Sequence, residues 1–463
     1  MPEPAAPLTE ALAAFVAGLD QRGLPDEVRR RALTLVLDGS GALLAASNPD
    51  YSTGRLIAGL ARDLGGGEGT SSVVGHGFRT GCADAALANG TMGYACDVEP
   101  HHPEAILHPV AVMVPTALAV GERVGASGAR FLDSIALGLE VEYRVSMALG
   151  PAEQYALGFH PSAVCGCFGA AASAAYLLGL DTGATRRALG LAACQASGLM
   201  AWESEPTENS RPFQMGVAAR NGVTAALLAE RGFGGPPSVF DHGHTVFRAF
   251  SRNPSPELLT DGLGERFAGV MEMAIKPYAC CSFLHPGLDA LLGIVREQAI
   301  TPADVEAIDF HFPHSGCHCI DGNPLKSHCA QYVFAVAVAR GRLDVSDIFI
   351  DRRGGDPVVA DLSRRVGVIH DRGHLEALFP DFYATEVEVR TRGGGVFRRR
   401  HDIARGYPEA PLSDDEIAAK FAELAGTVAS PGRVGALRDA ILALPTARDL
   451  TAYADLMRAP AGT

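Results

Sequence analysis

The sequence predicts a mainly α protein, a large all-helical domain interrupted by a smaller α+β domain, with a helical return at the C-terminus. Three observations predict it. Apolar residues recur at helical spacing from Leu8 to about Arg231. Near residue 270 the texture switches to segments that alternate apolar and polar residues, as strands do. Helical spacing then resumes, so the expected boundaries are 1–272, 273–408 and 409–463. A chain of 463 residues also exceeds what one compact core usually holds.

Leu12, Phe15, Val16 and Leu19 set the first helix, and Val28, Leu33, Val36 and Leu37 the next. Segments 105–124, 129–149, 162–180, 185–196 and 215–231 continue the pattern, many of them rich in Ala and Gly, which lets helices approach closely. Turn signals such as Gly179-Leu180-Asp181 and Gly232-Phe233-Gly234-Gly235 separate them. In the middle region, Val305–Pro313 alternates like a strand, as do 365–370 and 385–392. Gly393-Gly394-Gly395 marks a hairpin whose return strand is 396–404. Helical segments 286–298 and Ala330–Arg340 lie among these strands, and 413–425 and 433–444 bring the chain back to helix.

Composition bounds the function. Apolar residues make up 47% and charged residues 20%, enough to bury a large core. A formal charge of −14 argues against nucleic acid as a partner, since phosphate binding needs a basic surface. A small anionic metabolite is still compatible if cations converge in one pocket. The first residues show no secretory signal, and the longest apolar stretches are too short to span a bilayer. Ten cysteines without a signal point to reduced thiols, hence a cytoplasmic enzyme with no membrane partner.

The densest chemistry lies in residues 97–108, which hold Asp97, Glu99, His101, His102, Glu104 and His108. Carboxylates and imidazoles this close shift each other's pKa and supply proton donors and acceptors near neutral pH. A polar surface loop is the alternative reading. His160 precedes a long apolar helix, where it either acts from the helix N-terminus or occupies the turn. Lys276 sits in an apolar run at the domain junction, where pockets favour forming, or packs its stem and reaches water. Arg144 and Arg211 offer guanidinium forks for substrate carboxylates. The His/Cys-rich stretch 311–328 is spaced C-x-C, without the paired C-x-x-C of structural zinc sites, so no metal is expected. No phosphate loop, dinucleotide fingerprint or nucleophile elbow is present, and no organic cofactor is indicated.

Several segments, taken in order, resemble the MmgE/PrpD family, which includes 2-methylcitrate dehydratase, cis-aconitate decarboxylase and iminodisuccinate epimerase. They are Leu37-Asp38 with Gly41, Asn89-Gly90 followed by Asp97 and His108-Pro109, Gly138 with Glu140, and Gly158-Phe159-His160. Arg211-Pro212 with Gly216, Ile275-Lys276, Tyr332 with Ala335, and Gly406-Tyr407-Pro408 complete the series. The resemblance implies that the α+β domain is a lid, that the protein is a homodimer, and that Asp97, His108, His160, Lys276 and Tyr332 are catalytic. It also places His101 in the substrate site, where family lyases carry Thr, and Arg211 where they carry Lys. Arg keeps the cation but is a poor proton donor, so Arg211 is expected to hold a carboxylate.

The implied chemistry is cofactor-independent acid/base catalysis on a small di- or tricarboxylate, through a carbanion whose charge spreads onto carboxylate oxygens. Dehydration is the leading expectation. Epimerisation of the iminodisuccinate type comes next, then decarboxylation of the cis-aconitate type, then a non-catalytic binding relative.

Overall fold

The computed structural model describes residues 7–66, 69–348, 355–380, 382–460 and 462. It divides into two compact units. The first comprises Met1–Ala95, Glu99–Met273 and Asp415–Thr463, and the second comprises Cys96–Val98 and Ala274–Asp414. The chain is thus mainly α with a smaller α+β unit inserted, and the second unit also claims three residues from the polar loop.

The first unit is built from helices α1 (Leu8–Ala17), α2 (Asp26–Ala46), α3 (Ser52–Gly65), α4 (Cys82–Ala95), α5 (Val110–Val124), α6 (Gly128–Leu149), α7 (Pro161–Leu177), α8 (Thr182–Ala193) and α9 (Ser210–Glu230). Helices α4 and α7 are buried on nearly every side, as their continuous Ala/Gly-rich sequences require. Helix α9 packs against both. At the α4–α9 crossing, a Cβ on Gly90 would fall 2.9 Å from the Gly216 Cα, and one on Gly216 would fall 2.2 Å from the Leu87 carbonyl. Only glycine permits that approach, which brings the first turn of α9 beside the end of α4.

Capping residues legible in the sequence set several helix starts: Ser127 accepts from the Arg130 N–H and Asp181 from the Ala184 N–H. Two starts differ from expectation. The fifth helix begins at Val110, not 105, because residues 102–107 close a turn in which the His102 N–H bonds the Leu107 carbonyl and the reverse. The ninth begins at Ser210, not 215, so Arg211 and Pro212 occupy its first turn, where proline is tolerated. A two-stranded antiparallel ladder, β1 (Ser71–Val73) with β2 (Phe78–Thr80), also interrupts the helical run. Strands of three residues carry too little alternation to be read from sequence.

In the second unit, β3 (Val305–Pro313), β4 (Val366–Asp371), β5 (Thr385–Thr391) and β6 (Val396–His401) form one sheet in the order β4-β3-β5-β6. Strands β3 and β4 run parallel, whereas β5 pairs antiparallel with both β3 and β6. Helices α10 (His285–Glu297) and α11 (Ala330–Arg340) pack on this sheet and each other. Phe310, Phe312, Phe334, Val387 and Val389 are buried in the core that results. Three helices, α12 (Asp414–Gly426), α13 (Pro431–Leu442) and α14 (Thr451–Arg458), close the chain. Lys420 of α12 reaches Asp38 of α2 at 2.7 Å, which ties the C-terminal return into the helical unit. No helix among the described residues is long and apolar enough to cross a membrane, and no disulfide joins their cysteines.

Candidate active site

Two clusters gather most of the residues expected from sequence, one within each unit. In the second unit, Lys276 Nζ donates to Asp97 Oδ1 at 2.5 Å and to the Asp97 carbonyl at 3.2 Å. Both residues are almost fully buried. Asp97 adopts a left-handed backbone, φ +50°, which Asp tolerates better than most residues but which still costs strain. His328 Nε2 stands 4.0 Å from Asp97 Oδ2, with its Nδ1 held 2.9 Å from Ser327 Oγ.

The segment carrying Lys276 is clamped by the chain near residue 406. The Ile275 N–H donates to the Gly406 carbonyl, and a Cβ on Gly406, at φ +92°, would fall 2.0 Å from the Ile275 carbonyl. The neighbouring Cys281 thiol is pushed up to about 12 by burial and by the Asp97 charge, so it is not a nucleophile near neutral pH.

In the first unit, His108 Nδ1 lies 2.6 Å from Glu99 Oε1, and the His108 N–H donates to Ser162 Oγ at 2.9 Å. The ring packs against Tyr94 at 4.5 Å between centroids and stacks on His101 at 5.8 Å. His160 is the N-cap residue of α7. Its Nδ1 faces Gln214 Oε1 at 3.0 Å, and Gln214 in turn donates to the Leu199 carbonyl, which fixes the amide orientation. Burial, helped by the Arg211 charge, holds His160 down at about 4, so it is neutral at physiological pH. In that form the ring both donates and accepts hydrogen bonds.

Arg211 lies in the same cluster. Its guanidinium donates to Tyr94 Oη at 2.9 Å, pairs with Glu208, and lies 4.4 Å from the Tyr94 ring and 5.3 Å from that of Trp202. Glu208 also has a left-handed backbone, φ +54°. Glu205 fastens this segment by accepting the N–H groups of Thr207, Asn209 and Ser210. Burial pushes its carboxyl up, but those bonds outweigh it and hold the group down at about 2. Arg211 thus reaches the cluster with a carboxylate partner already in place.

Two expected residues have other work. Arg144 was expected to hold substrate, and in the structure its guanidinium is engaged within the protein. Its Nε donates to Glu140 at 2.7 Å, and its two terminal nitrogens reach the carbonyls of Leu259, Asp261, Gly262 and Arg266. Those five acceptors match the five N–H groups of a guanidinium, so no fork is left for a substrate. Tyr332, on α11, donates its hydroxyl to the Asp347 carbonyl at 2.7 Å, and its ring lies 5.2 Å from the Lys326 ammonium. Those contacts do not join it to the Asp97–Lys276 pair. His102 is structural as well, since Nδ1 accepts the Ala105 N–H, Nε2 faces the Ala268 carbonyl, and burial lowers it to about 4.

The structure adds residues not singled out from sequence. Glu99 stood in the polar cluster without a role. Tyr94, Glu208 and Trp202, the chain's single tryptophan, gave no spacing signal at all. His328 comes from the His/Cys-rich stretch. Among the described residues, no group of three or more His, Cys, Asp or Glu is arranged to hold a metal ion.

Comparison with known proteins bears on what such clusters do. Residues 10–259 match the MmgE/PrpD N-terminal domain and residues 278–445 the MmgE/PrpD C-terminal domain. The chain is 28% identical to the cis-aconitate decarboxylase-like protein oryM of Aspergillus oryzae, with 96% of each chain covered. It is 27% identical to the cis-aconitate decarboxylase of Homo sapiens, over 98% of this chain and 95% of the relative. The mitochondrial 2-methylcitrate dehydratase of Yarrowia lipolytica is 23% identical, over 50% of this chain and 46% of its own.

Proposed function

Because the chain belongs to the MmgE/PrpD family, we propose that it is a lyase using acid/base catalysis on a small di- or tricarboxylate. The observation that carries this reading is the buried Lys276–Asp97 pair. Removal of a proton or of CO₂ beside a carboxylate leaves a carbanion whose charge spreads onto carboxylate oxygens. A desolvated ammonium opposes that charge far more strongly than one in water. Asp97 holds the Lys276 Nζ in place through its carboxylate and its carbonyl.

Of the lyase reactions, decarboxylation now has the better support. The relatives named for it align over nearly the full chain, whereas the dehydratase aligns over half. In a decarboxylation the C–C bond to one carboxylate breaks and CO₂ departs. The electron pair stays on carbon, and a proton is delivered there. His108 is the group assigned to that proton, and His101 and the neutral His160 to substrate orientation. Arg211, already balanced by Glu208, orients a carboxylate by its planar fork more than it supplies net charge. Dehydration, which has a matching relative of its own, is the second reading.

NMR in D₂O with a panel of citrate-like, aconitate-like and amino-dicarboxylate compounds tests this. The expected result is CO₂ release with one deuterium at the carbon that lost it. Water loss without CO₂ would move the assignment to a dehydratase. Deuterium entering recovered substrate with neither loss would make the protein an isomerase.

A further inference from the structure

We propose that Glu99 is a positioning residue for His108, fixing which ring nitrogen works and raising that ring's affinity for the proton it delivers. Its consequence for turnover rests on the acid/base reading above, while the geometry stands independently of it. The 2.6 Å contact lies in the range of a charge-assisted hydrogen bond. It joins residues nine apart because the turn at residues 102–107 folds the loop back on itself. That turn is itself held by the His102 imidazole, which accepts the Ala105 N–H.

The dyad is oriented. The Glu99 side chain is 1% exposed and that of His108 is 17% exposed, so the acid lies behind and the ring is the accessible member. With Nδ1–H committed to the carboxylate, Nε2 carries the lone pair and becomes the nitrogen that exchanges protons. Tyr94 and His101 pack against the ring, and Ser162 holds its backbone N–H. The ionisable groups around it include His101 and Tyr94, and then, around Tyr94, His160 and Arg211 with Glu208. Glu99 alone among them places a carboxylate on His108 Nδ1 in this geometry, and an adjacent carboxylate favours the imidazolium.

The test is ring-¹⁵N NMR of the whole protein, with the His108→Asn variant identifying the resonance. In the wild type, His108 should be the Nδ1–H tautomer. Glu99→Gln should lower its titration midpoint by at least one pH unit, a tenfold loss of proton affinity, and Glu99→Asp should retain most of it. The alkaline limb of kcat/KM, where the proton-delivering imidazolium is lost, should move down with the midpoint. In Glu99→Gln, kcat should fall roughly 10²–10⁴-fold while KM stays within a few-fold.

An Nε2–H tautomer in the wild type overturns the proposal, as does an unchanged titration in a folded Glu99→Gln. If that variant does not fold, the wild-type tautomer and the Glu99→Asp titration decide. Expected NMR behaviour with no polycarboxylate turned over would leave the dyad standing and remove the lyase reading. Turnover with an unaltered His108 would do the reverse.

Discussion

Two buried acid–base pairs differ in everything except their chemistry. Glu140 and Arg144 sit one turn apart on α6, in ordinary helical backbone, with every guanidinium N–H matched to an oxygen and Glu140 also accepting the Gly269 N–H. Asp97 and Lys276 lie 179 positions apart in sequence, and Asp97 is held in a left-handed backbone. The first pair staples a helix to the loop around residues 259–266. The second is a concentrated charge on an irregular segment. A buried ion pair is therefore weak evidence of a site by itself, and backbone strain at one partner adds to it.

That contrast breaks first at Lys276. Lys276→Ala should lower kcat/KM by roughly 10³-fold or more, and the double variant with Asp97→Asn should restore any lost stability without restoring activity. Turnover near the wild-type rate in the single variant would reduce Asp97–Lys276 to a staple like the other pair. Arg144→Met should do the opposite, costing roughly 3–5 kcal/mol in denaturant unfolding while folded protein keeps its kcat. Loss of activity in fully folded Arg144→Met would return Arg144 to the substrate site.

A smaller effect comes from the buried histidines. His76, His102 and His160 are each held at about 4 by burial, against 6.5 in an unfolded chain. Between those values the unfolded chain binds more protons, so their contribution is complete above pH 6.5 and is lost as pH falls towards 4. The slope should be about 1.4 kcal/mol per pH unit for each histidine. His102→Gln should flatten the fall in Tm over this window, and an unchanged slope would show that His102 stays charged in the fold.

The smallest effect concerns Glu142, whose buried carboxyl oxygens have no hydrogen-bond partner and whose pKa is raised by burial. The native state keeps this proton where the unfolded chain loses it, so stability drops as pH rises above 4.5. Glu142→Gln should raise stability by roughly 1–3 kcal/mol at pH 8 and change little at pH 4. Equal Tm values at both pH values would mean that the carboxyl is ionised in the fold.

Much of this was legible in the sequence. Alternation in Val305–Pro313 and the glycines at 393–395 marked the sheet and its hairpin. The density of acids and imidazoles at 97–108 marked the polar loop. The partners of Arg144 were not legible, because a guanidinium's suitability for carboxylates says nothing about the five carbonyl and carboxylate oxygens it meets in the fold. Tyr332 rested on resemblance alone, which carries a residue's identity but not its hydrogen bonds.

By itself, then, the sequence determined which of the longer segments are helix or strand, because periodicity is a local property of side chains along the backbone. It also determined where titratable groups are dense. Only the tertiary structure decided who pairs with whom. Lys276 meets Asp97, Arg211 meets Tyr94 and Glu208, and Glu99 turns back onto His108. Hydrogen-bond partners are chosen by a geometry of a few tenths of an ångström, and long-range closure of the chain sets that geometry.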